Sequence, residues 1–273
     1  MKTEQSSITS QKLSVVIPAY KAEQFIQKNI ESLYKVLQAG RFQFELICVV
    51  DGQIDRTYEN AVKLCKKYDN LRVLGYKNNL GKGYAVRYGM SRAKGDIVGF
   101  VDAGVELDPN GMAMLLEHFQ WYNADVIIGS KRHPASQVVY PWQRTILSFG
   151  YQLLVRVLFG LKVKDTQVGM KFFKREVIER TLPRLLVKKF AFDIEMLAVA
   201  NYLGYSRIYE APVRLKMKFS GPSTIISKKF FNIVFGMVWD TAAVFYRLRI
   251  LHFYDYKNRK MWVNPKYLAL VKK

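Results

Sequence analysis

The chain has 273 residues, half of them hydrophobic, and carries 43 Lys and Arg against 22 Asp and Glu, a formal net charge of +21. That length suits one large α/β domain with an appendage or two small domains, and the excess of cations points to anionic partners: nucleic acid, acidic lipid or a phosphorylated substrate. Two cysteines, Cys48 and Cys65, exclude a disulfide framework and favour reduced thiols, and the polar first eleven residues lack the apolar core of a signal peptide. No apolar run reaches the roughly 18 residues of an ordinary membrane span.

In chain order, Leu13 to Pro18 reads as a buried strand stopped by proline, and Glu23 to Leu37 carries Phe25, Ile26, Ile30, Leu33, Val36 and Leu37 at helical spacing. Phe44 to Val50 is a second strand ending at Asp51-Gly52, followed by a helix from about Asp55 to Tyr68 and a third strand, Leu71 to Leu74. The loop Asn78-Asn79-Leu80-Gly81-Lys82-Gly83 feeds a helix from Tyr84 to about Ala93, and a fourth strand climbs from Gly95 to end on Asp102. Alternating strands and helices with short turns predict a parallel sheet with right-handed crossovers. Pro18-Ala19-Tyr20, Asp51-Gly52, Gly81-Lys82-Gly83 and Asp102 then share the carboxyl edge, where open α/β sheets bind ligands. Taken singly, each of these residues reads more readily as a turn or cap residue; together they can stack a base, accept from it and meet phosphate. Carboxylates at such an edge suit a hard divalent cation. Gly81-Lys82-Gly83 lacks the spacing and following Ser/Thr of a Walker loop, and no GxGxxG follows the first strand, which argues against a dinucleotide cofactor.

In the second half, Asp125 to Ser130 is a strand running into the basic turn Lys131-Arg132-His133. Trp142 to Phe159 has an apolar stripe that fits either a helix packed on the sheet or one at a lipid interface. Phe190-Ala191-Phe192-Asp193-Ile194-Glu195 opens a helix on which Asp193 and Glu195, two apart, face different ways. Ile208 to Val213 reads as a late strand. Ile225 to Phe253 is rich in large apolar residues with a narrow polar stripe, and the tail from Tyr254 is basic and aromatic; both fit amphipathic helices at a bilayer interface or helices packed on the domain. His118, His133 and His252 share no metal-ligand spacing. The expected division is a disordered 1–11, a domain over 12–224, and a membrane-associating segment over 225–273.

The stretches Ile17-Pro18-Ala19-Tyr20, Val50-Asp51-Gly52-Gln53-Ile54-Asp55-Arg56-Thr57, Asn79-Leu80-Gly81-Lys82-Gly83, Phe100-Val101-Asp102-Ala103 and Asp165-Thr166-Gln167-Val168-Gly169-Met170-Lys171-Phe172-Phe173 resemble the family-two glycosyltransferases of GT-A fold. Within that family the chain is similar to the polyprenyl-phosphate sugar transferases, and the Asp165 motif leans toward the glucosyl type. The resemblance implies a mostly parallel α/β sheet flanked by helices, with amphipathic C-terminal helices at the cytoplasmic face of a membrane. It also implies inverting transfer of a sugar, glucose from UDP-glucose, to a polyprenyl phosphate. Donor contacts would fall to Pro18, Tyr20, Asp51, Lys82, Ala103, Gln167, Lys171 and Lys218, and the acceptor phosphate to Lys131, Arg132 and Arg144. Asp102 would hold Mg2+ or Mn2+ and the donor diphosphate, with Glu106 as a substitute ligand. Asp102, Asp193 and Arg144 would serve catalysis, Asp193 as an organiser of basic side chains. The expected partners are the nucleotide sugar, the lipid phosphate and an anionic membrane surface. Homo-oligomer formation stays open, and nucleic acid has no motif to support it.

The chain departs from the family pattern where Gly104 replaces the second acid of Asp-x-Asp, where Val50 replaces the first of two acids, and where Thr224 replaces a final lysine after Lys218. Two alternatives therefore stand beside the first: transfer to a soluble glycan or protein, and a non-catalytic protein that binds nucleotide sugars or acts as a scaffold.

Overall fold

The computed structural model describes residues 11–40, 42–104, 108–136, 142–189, 191–215 and 228–262, with side chains at 142–148 and 228–233 outside that description. The strands are β1 (Lys12–Ala19), β2 (Gln43–Asp51), β3 (Leu71–Tyr76), β4 (Ile97–Val101), β5 (Val126–Ser130), β6 (Met170–Lys174) and β7 (Ile208–Pro212). They form one seven-stranded sheet in the order β3-β2-β1-β4-β6-β5-β7. β1 pairs in parallel with both β2 and β4, and β5 with β7. β6 runs antiparallel between β4 and β5, so the sheet is mixed but mostly parallel.

The period of two along each strand sorts side chains onto two cores. On β1, Leu13, Val15 and Ile17 face a cluster shared with α1 (Ile26–Ala39), α2 (Thr57–Lys63) and α4 (Gly111–Trp121). Val16 faces the other cluster, shared with α3 (Lys82–Met90), α5 (Trp142–Phe159), α6 (Arg175–Thr181) and α7 (Phe192–Tyr202). Both faces of the central strands are dry, which explains their β-branched, near-continuous apolar sequence.

Three elements differ from expectation. β6 was hidden because its pattern is broken by Lys171, a charged residue with no solvent exposure. The helix expected from Asp55 starts at Thr57, since the Asp55 carboxylate accepts the Thr57 N–H at 3.0 Å and belongs to the turn before it. α3 starts at Lys82, two residues earlier than the pattern suggests.

The C-terminal segment from 225 onward, for which the sequence leaves both a bilayer interface and packing on the domain open, packs on the domain where it is described. α8 (Lys228–Phe245) runs into a π turn, Tyr246–Ile250, and then a short helix α9 (Arg259–Trp262). Val244, Leu248, Phe253, Tyr254 and Trp262 are buried in the same cluster as α7. The outer side of α8 and its π turn exposes Phe235, Trp239, Tyr246 and Ile250, and that of α5 exposes Phe149, Leu153 and Val157. Among the described residues no helix is long and apolar enough to cross a membrane.

The amino edge of the sheet is closed by a polar clasp. Ser14 Oγ donates to Glu45 at 2.7 Å and accepts the Gly95 N–H at 2.7 Å, and Glu45 also takes the Lys94 N–H at 2.6 Å. Removing the hydroxyl leaves a buried N–H without its acceptor, which costs about 1–3 kcal/mol. Ser14→Ala is therefore expected to lose that much stability in urea titration. Its effect should stay at this edge, away from the carboxyl ends of β1, β2 and β4.

Candidate active site

The carboxyl ends of β1, β2 and β4 converge where the strand order switches from β2-β1 to β1-β4, the place where open α/β sheets leave a crevice. A cleft of about 580 Å³ opens there, lined by Pro18 and Tyr20 after β1, Asp51 of β2, Leu80 to Lys82 before α3, Asp102 to Gly104 after β4, and Lys189.

Asp51, 3% exposed, organises the loop that follows β3. Its carboxylate accepts the Leu80 N–H at 2.7 Å, the Gly81 N–H at 2.9 Å and the Asn79 side-chain amide at 3.1 Å. Asp51 thus shapes the loop besides lining the cleft. The two glycines of that loop are demanded by close approach. Gly81 has φ +98°, and a Cβ there would fall 2.5 Å from the Lys188 carbonyl oxygen; one on Gly83 would fall 2.5 Å from Phe192 Cβ. The Gly83 N–H donates to the same Lys188 oxygen at 2.8 Å. The loop therefore lies flush on the segment before α7, and Lys82 is aimed at the end of β4.

Lys82 Nζ lies 2.9 Å from both carboxylate oxygens of Asp102, with a well-directed hydrogen bond only to Oδ2, and 3.7 Å from Asp193. Asp193 is 2% exposed and receives Lys171 Nζ at 2.5 Å. Lys171, fully buried, also donates to the Val168 carbonyl at 2.5 Å. The result is an alternating chain, Asp102–Lys82–Asp193–Lys171, running from the cleft into the core. Burial works against the Lys82 ammonium, but Asp193 and Asp102 outweigh it and its pKa is raised. For Lys171 burial prevails, helped by repulsion from Lys82, and the pKa is lowered despite Asp193.

Asp102 is set by the strand beside it. Its N–H donates to the Gly169 carbonyl at 2.8 Å, and a Cβ on Gly169 would fall 1.9 Å from its Oδ2. The glycine of the Asp165 motif thus makes room for the carboxylate. Further along the same edge, Asp165 accepts the Lys131 N–H at 3.1 Å, while the N–H groups of Lys164 and Asp165 both donate to Glu210 at 2.9 Å. The basic turn after β5 is in this way tied to the loop before β6. The Arg132 guanidinium hydrogen-bonds the Gln152 side chain of α5. Gln167 Nε2 is buried there with no hydrogen-bond partner.

Of the residues expected from sequence, Pro18, Tyr20, Asp51, Lys82, Asp102 and Ala103 meet in one cleft. Lys131, Arg132 and Gln167 stand outside its lining, at the ends of β5 and β6. Lys171, expected as a donor contact, lies a layer below, because its ammonium is engaged by Asp193 and Val168. Asp193 sits at that same depth, between two lysines. Glu106 and Lys218 lie outside the described residues, as does the side chain of Arg144 within α5. Sequence reasoning missed Asn79 as a brace, Gly169 as the space for Asp102, and Lys189 as a cation on the cleft wall. The pair Lys188-Lys189 ahead of Phe192-Asp193 was the available signal for the last.

Among the described residues, a divalent cation at the end of β4 would find one carboxylate, Asp102. Asp102 Oδ1 accepts no well-directed hydrogen bond but lies 2.9 Å from Lys82 Nζ, so a cation there would share the carboxylate with Lys82, while position 104 faces open space without one. Among the described residues no group of three or more His, Cys, Asp or Glu could hold a metal. Such a donor set fits an ion that takes most of its ligands from phosphate oxygens and water, as Mg2+ commonly does.

The sequence profile of Glycosyl transferase family 2 matches residues 14–182. Among curated proteins, the chain is similar to the dolichyl-phosphate beta-glucosyltransferase of Homo sapiens, 33% identical over 207 residues, spanning 71% of this chain and 64% of that protein. The Drosophila melanogaster enzyme of that name is 34% identical over 208 residues, with the same 71% and 64% shares. The chain thus spans just under two thirds of the length of these relatives. Among solved structures, it resembles glucosyl-3-phosphoglycerate synthase from Mycobacterium tuberculosis in complex with Mn2+, UDP and phosphoglyceric acid, at TM-score 0.63 and 19% identity, covering 89% of this chain and 80% of that one. Mannosyl-3-phosphoglycerate synthase from Rubrobacter xylanophilus gives TM-score 0.66 at 14% identity, covering 88% and 75%. The two structural neighbours support the GT-A-like fold, and the profile match across more than half the sequence settles the family: the chain belongs to glycosyltransferase family 2.

Proposed function

We propose that the protein transfers glucose from UDP-glucose to a polyprenyl phosphate, inverting the anomeric carbon. The observation that carries this is the meeting of Asp51, Lys82 and Asp102 in one cleft at the switch point of a family 2 sheet. The names of the curated relatives support glucose as the sugar and a dolichyl-type phosphate as acceptor. Pro18, Tyr20 and Ala103 are walls for the base and ribose, and Asp51 retains acceptor capacity toward them.

A lipid phosphate oxygen attacks the anomeric carbon as the bond to the UDP diphosphate breaks. A phosphate monoester is already anionic, so no general base is required, and the work of the site is alignment and stabilisation of the leaving group. Lys82 is the cation in the cleft for that charge, and Asp193 with Lys171 keeps it in place. Asp102 would hold a divalent cation, which would supply further positive charge beside the diphosphate; neighbours crystallised with UDP and Mn2+ or Mg2+ support this. Glu106 is the proposed second ligand and Lys218 an additional diphosphate contact. Gln167, with its unpaired Nε2, suits a sugar hydroxyl. Lys131, Arg132 and Arg144 are assigned to the acceptor phosphate.

The exposed apolar sides of α5 and α8 support a lipid-facing position at the cytoplasmic surface of a membrane, helped by the net charge of +21 toward anionic headgroups. One observation favours a second reading, a protein that binds the nucleotide sugar without turnover: Gly104 leaves Asp102 without its usual neighbouring acid.

The deciding experiment uses liposomes containing polyprenyl phosphate, with labelled UDP-glucose and Mg2+. Lipid-extractable glucose is the expected product, and its absence with every nucleotide sugar tried would favour binding alone. Asp102→Ala should lower kcat/KM by about 100-fold or more. Gly169→Ala, which drives a methyl group into the Asp102 carboxylate, should keep the fold and lose at least about tenfold. EDTA should suppress turnover; full activity in chelator would remove the cation from the scheme.

The buried pair makes a separate prediction for stability. Asp193→Asn leaves Lys171 and Lys82 short of a counterion and should cost about 3–5 kcal/mol in urea unfolding. Asp102→Asn, at a carboxylate that is 35% exposed, should cost far less.

A further inference from the structure

The most deeply buried carboxylate among the described residues, Glu195, lies outside the cleft and has no part in the chemistry above. Its Oε2 accepts the N–H groups of Leu186 and Val187 at 2.9 and 2.8 Å. Its Oε1 accepts the Tyr254 hydroxyl at 2.7 Å and faces the Arg247 guanidinium at 3.4 Å. Arg247 Nε also donates to the Tyr254 hydroxyl at 3.1 Å, and Arg184 Nε donates to the Tyr254 carbonyl at 2.8 Å. One carboxylate therefore fastens the turn after α8 to the strap Leu186–Lys189.

That strap is the floor of the catalytic loop. Lys188 carries the carbonyl that receives the Gly83 N–H, Leu185 carries the one that receives the Arg87 guanidinium, and Lys189 lines the cleft. Lys189 is exposed, and no carboxylate among the described residues pairs with it. Because Glu195 has no solvent exposure of its own, the strap's position depends on the partners it shares with Tyr254 and Arg247.

We infer that Glu195 is a positioning residue: with Tyr254 and Arg247 it latches the post-α8 turn to the strap, and thereby presents Lys189 to the donor's phosphates. Seating of the C-terminal turn and grip on the nucleotide are then one linked event, since the same strap braces the loop that holds Lys82. This inference rests on the nucleotide-sugar function proposed above.

The test is calorimetric titration of UDP with Mg2+ into the full chain, beside thermal melts, for wild type, Lys189→Ala, Tyr254→Phe and the double variant. Wild type should bind UDP, and Lys189→Ala should weaken binding about tenfold. Tyr254→Phe, which removes one hydroxyl from the latch, should weaken it about threefold. In the double variant the losses should fall short of additive, because the latch acts through Lys189. In the transfer assay both single variants should lower kcat/KM for the donor in proportion to their loss of UDP affinity. Arg247→Gln, at a side chain 21% exposed, provides a second cut in the latch should Tyr254→Phe fold poorly. Wild-type UDP affinity in a folded latch variant, or fully additive losses in the double, would overturn the inference. A wild type that ignores UDP would instead overturn the nucleotide-sugar function, and this inference with it.

Discussion

The site depends on how two lysines are kept charged beside one another at the edge of a dry core. Lys171 has no access to solvent and Lys82 has little, so each needs an anion within contact distance. Asp193 serves both, at 2.5 and 3.7 Å, and Asp102 completes the outer end. Two cations and two anions cancel, and their order matters: the innermost pair is sealed, whereas the outermost, Lys82 with Asp102, opens on the cleft. The ammonium that faces the cleft has its direction fixed by the two carboxylates. Preorganisation of this kind is what makes a buried charge useful to a reaction that expels an anion.

Four places in the chain supply these four side chains: the turn after β4, the start of α3, the first turn of α7, and β6. The antiparallel β6 is what joins them. By inserting between β4 and β5, it brings Gly169 against Asp102, Lys171 under Asp193, and the Asp165 loop against the basic turn after β5. A purely parallel continuation would need a crossover at this point and could not place a loop between the two ligand-bearing ends. The carboxyl ends of β4 and β5 are coupled through one short strand.

Much of this could be read in the amino-acid order, because runs such as Val15-Val16-Ile17 and Ile47-Cys48-Val49-Val50 announce buried parallel strands and their ends then align. The positions of Asp51, Lys82 and Asp102 followed from that alignment alone. What stayed hidden has a common cause. Lys171 breaks the apolar pattern of β6, and its burial makes sense only with Asp193, 22 residues on. Glu195 reads as an ordinary helix carboxylate until Tyr254, 59 residues away, is folded against it. Gly169 looks like a turn glycine although its reason is a side chain on another strand. Local periodicity records burial of apolar groups, and it is silent about polar groups whose burial is compensated at long range.

The same limit explains why α8 was ambiguous. Its inner side buries Thr241 and Val244, and its outer side exposes Phe235, Val238 and Trp239, so both sides are largely apolar and the usual contrast between core and solvent is lost. A helix apolar all round is normal where something other than water covers the second side. The inner contacts already join the core around α7, and the polar hold on the following turn comes from Glu195 within the domain rather than from surface ion pairs. The helix is therefore fixed in position before anything covers its outer side. The apolar outer side of α8 is thereby tied, through core contacts and through Glu195, to the strap that carries Lys189 on the wall of the cleft.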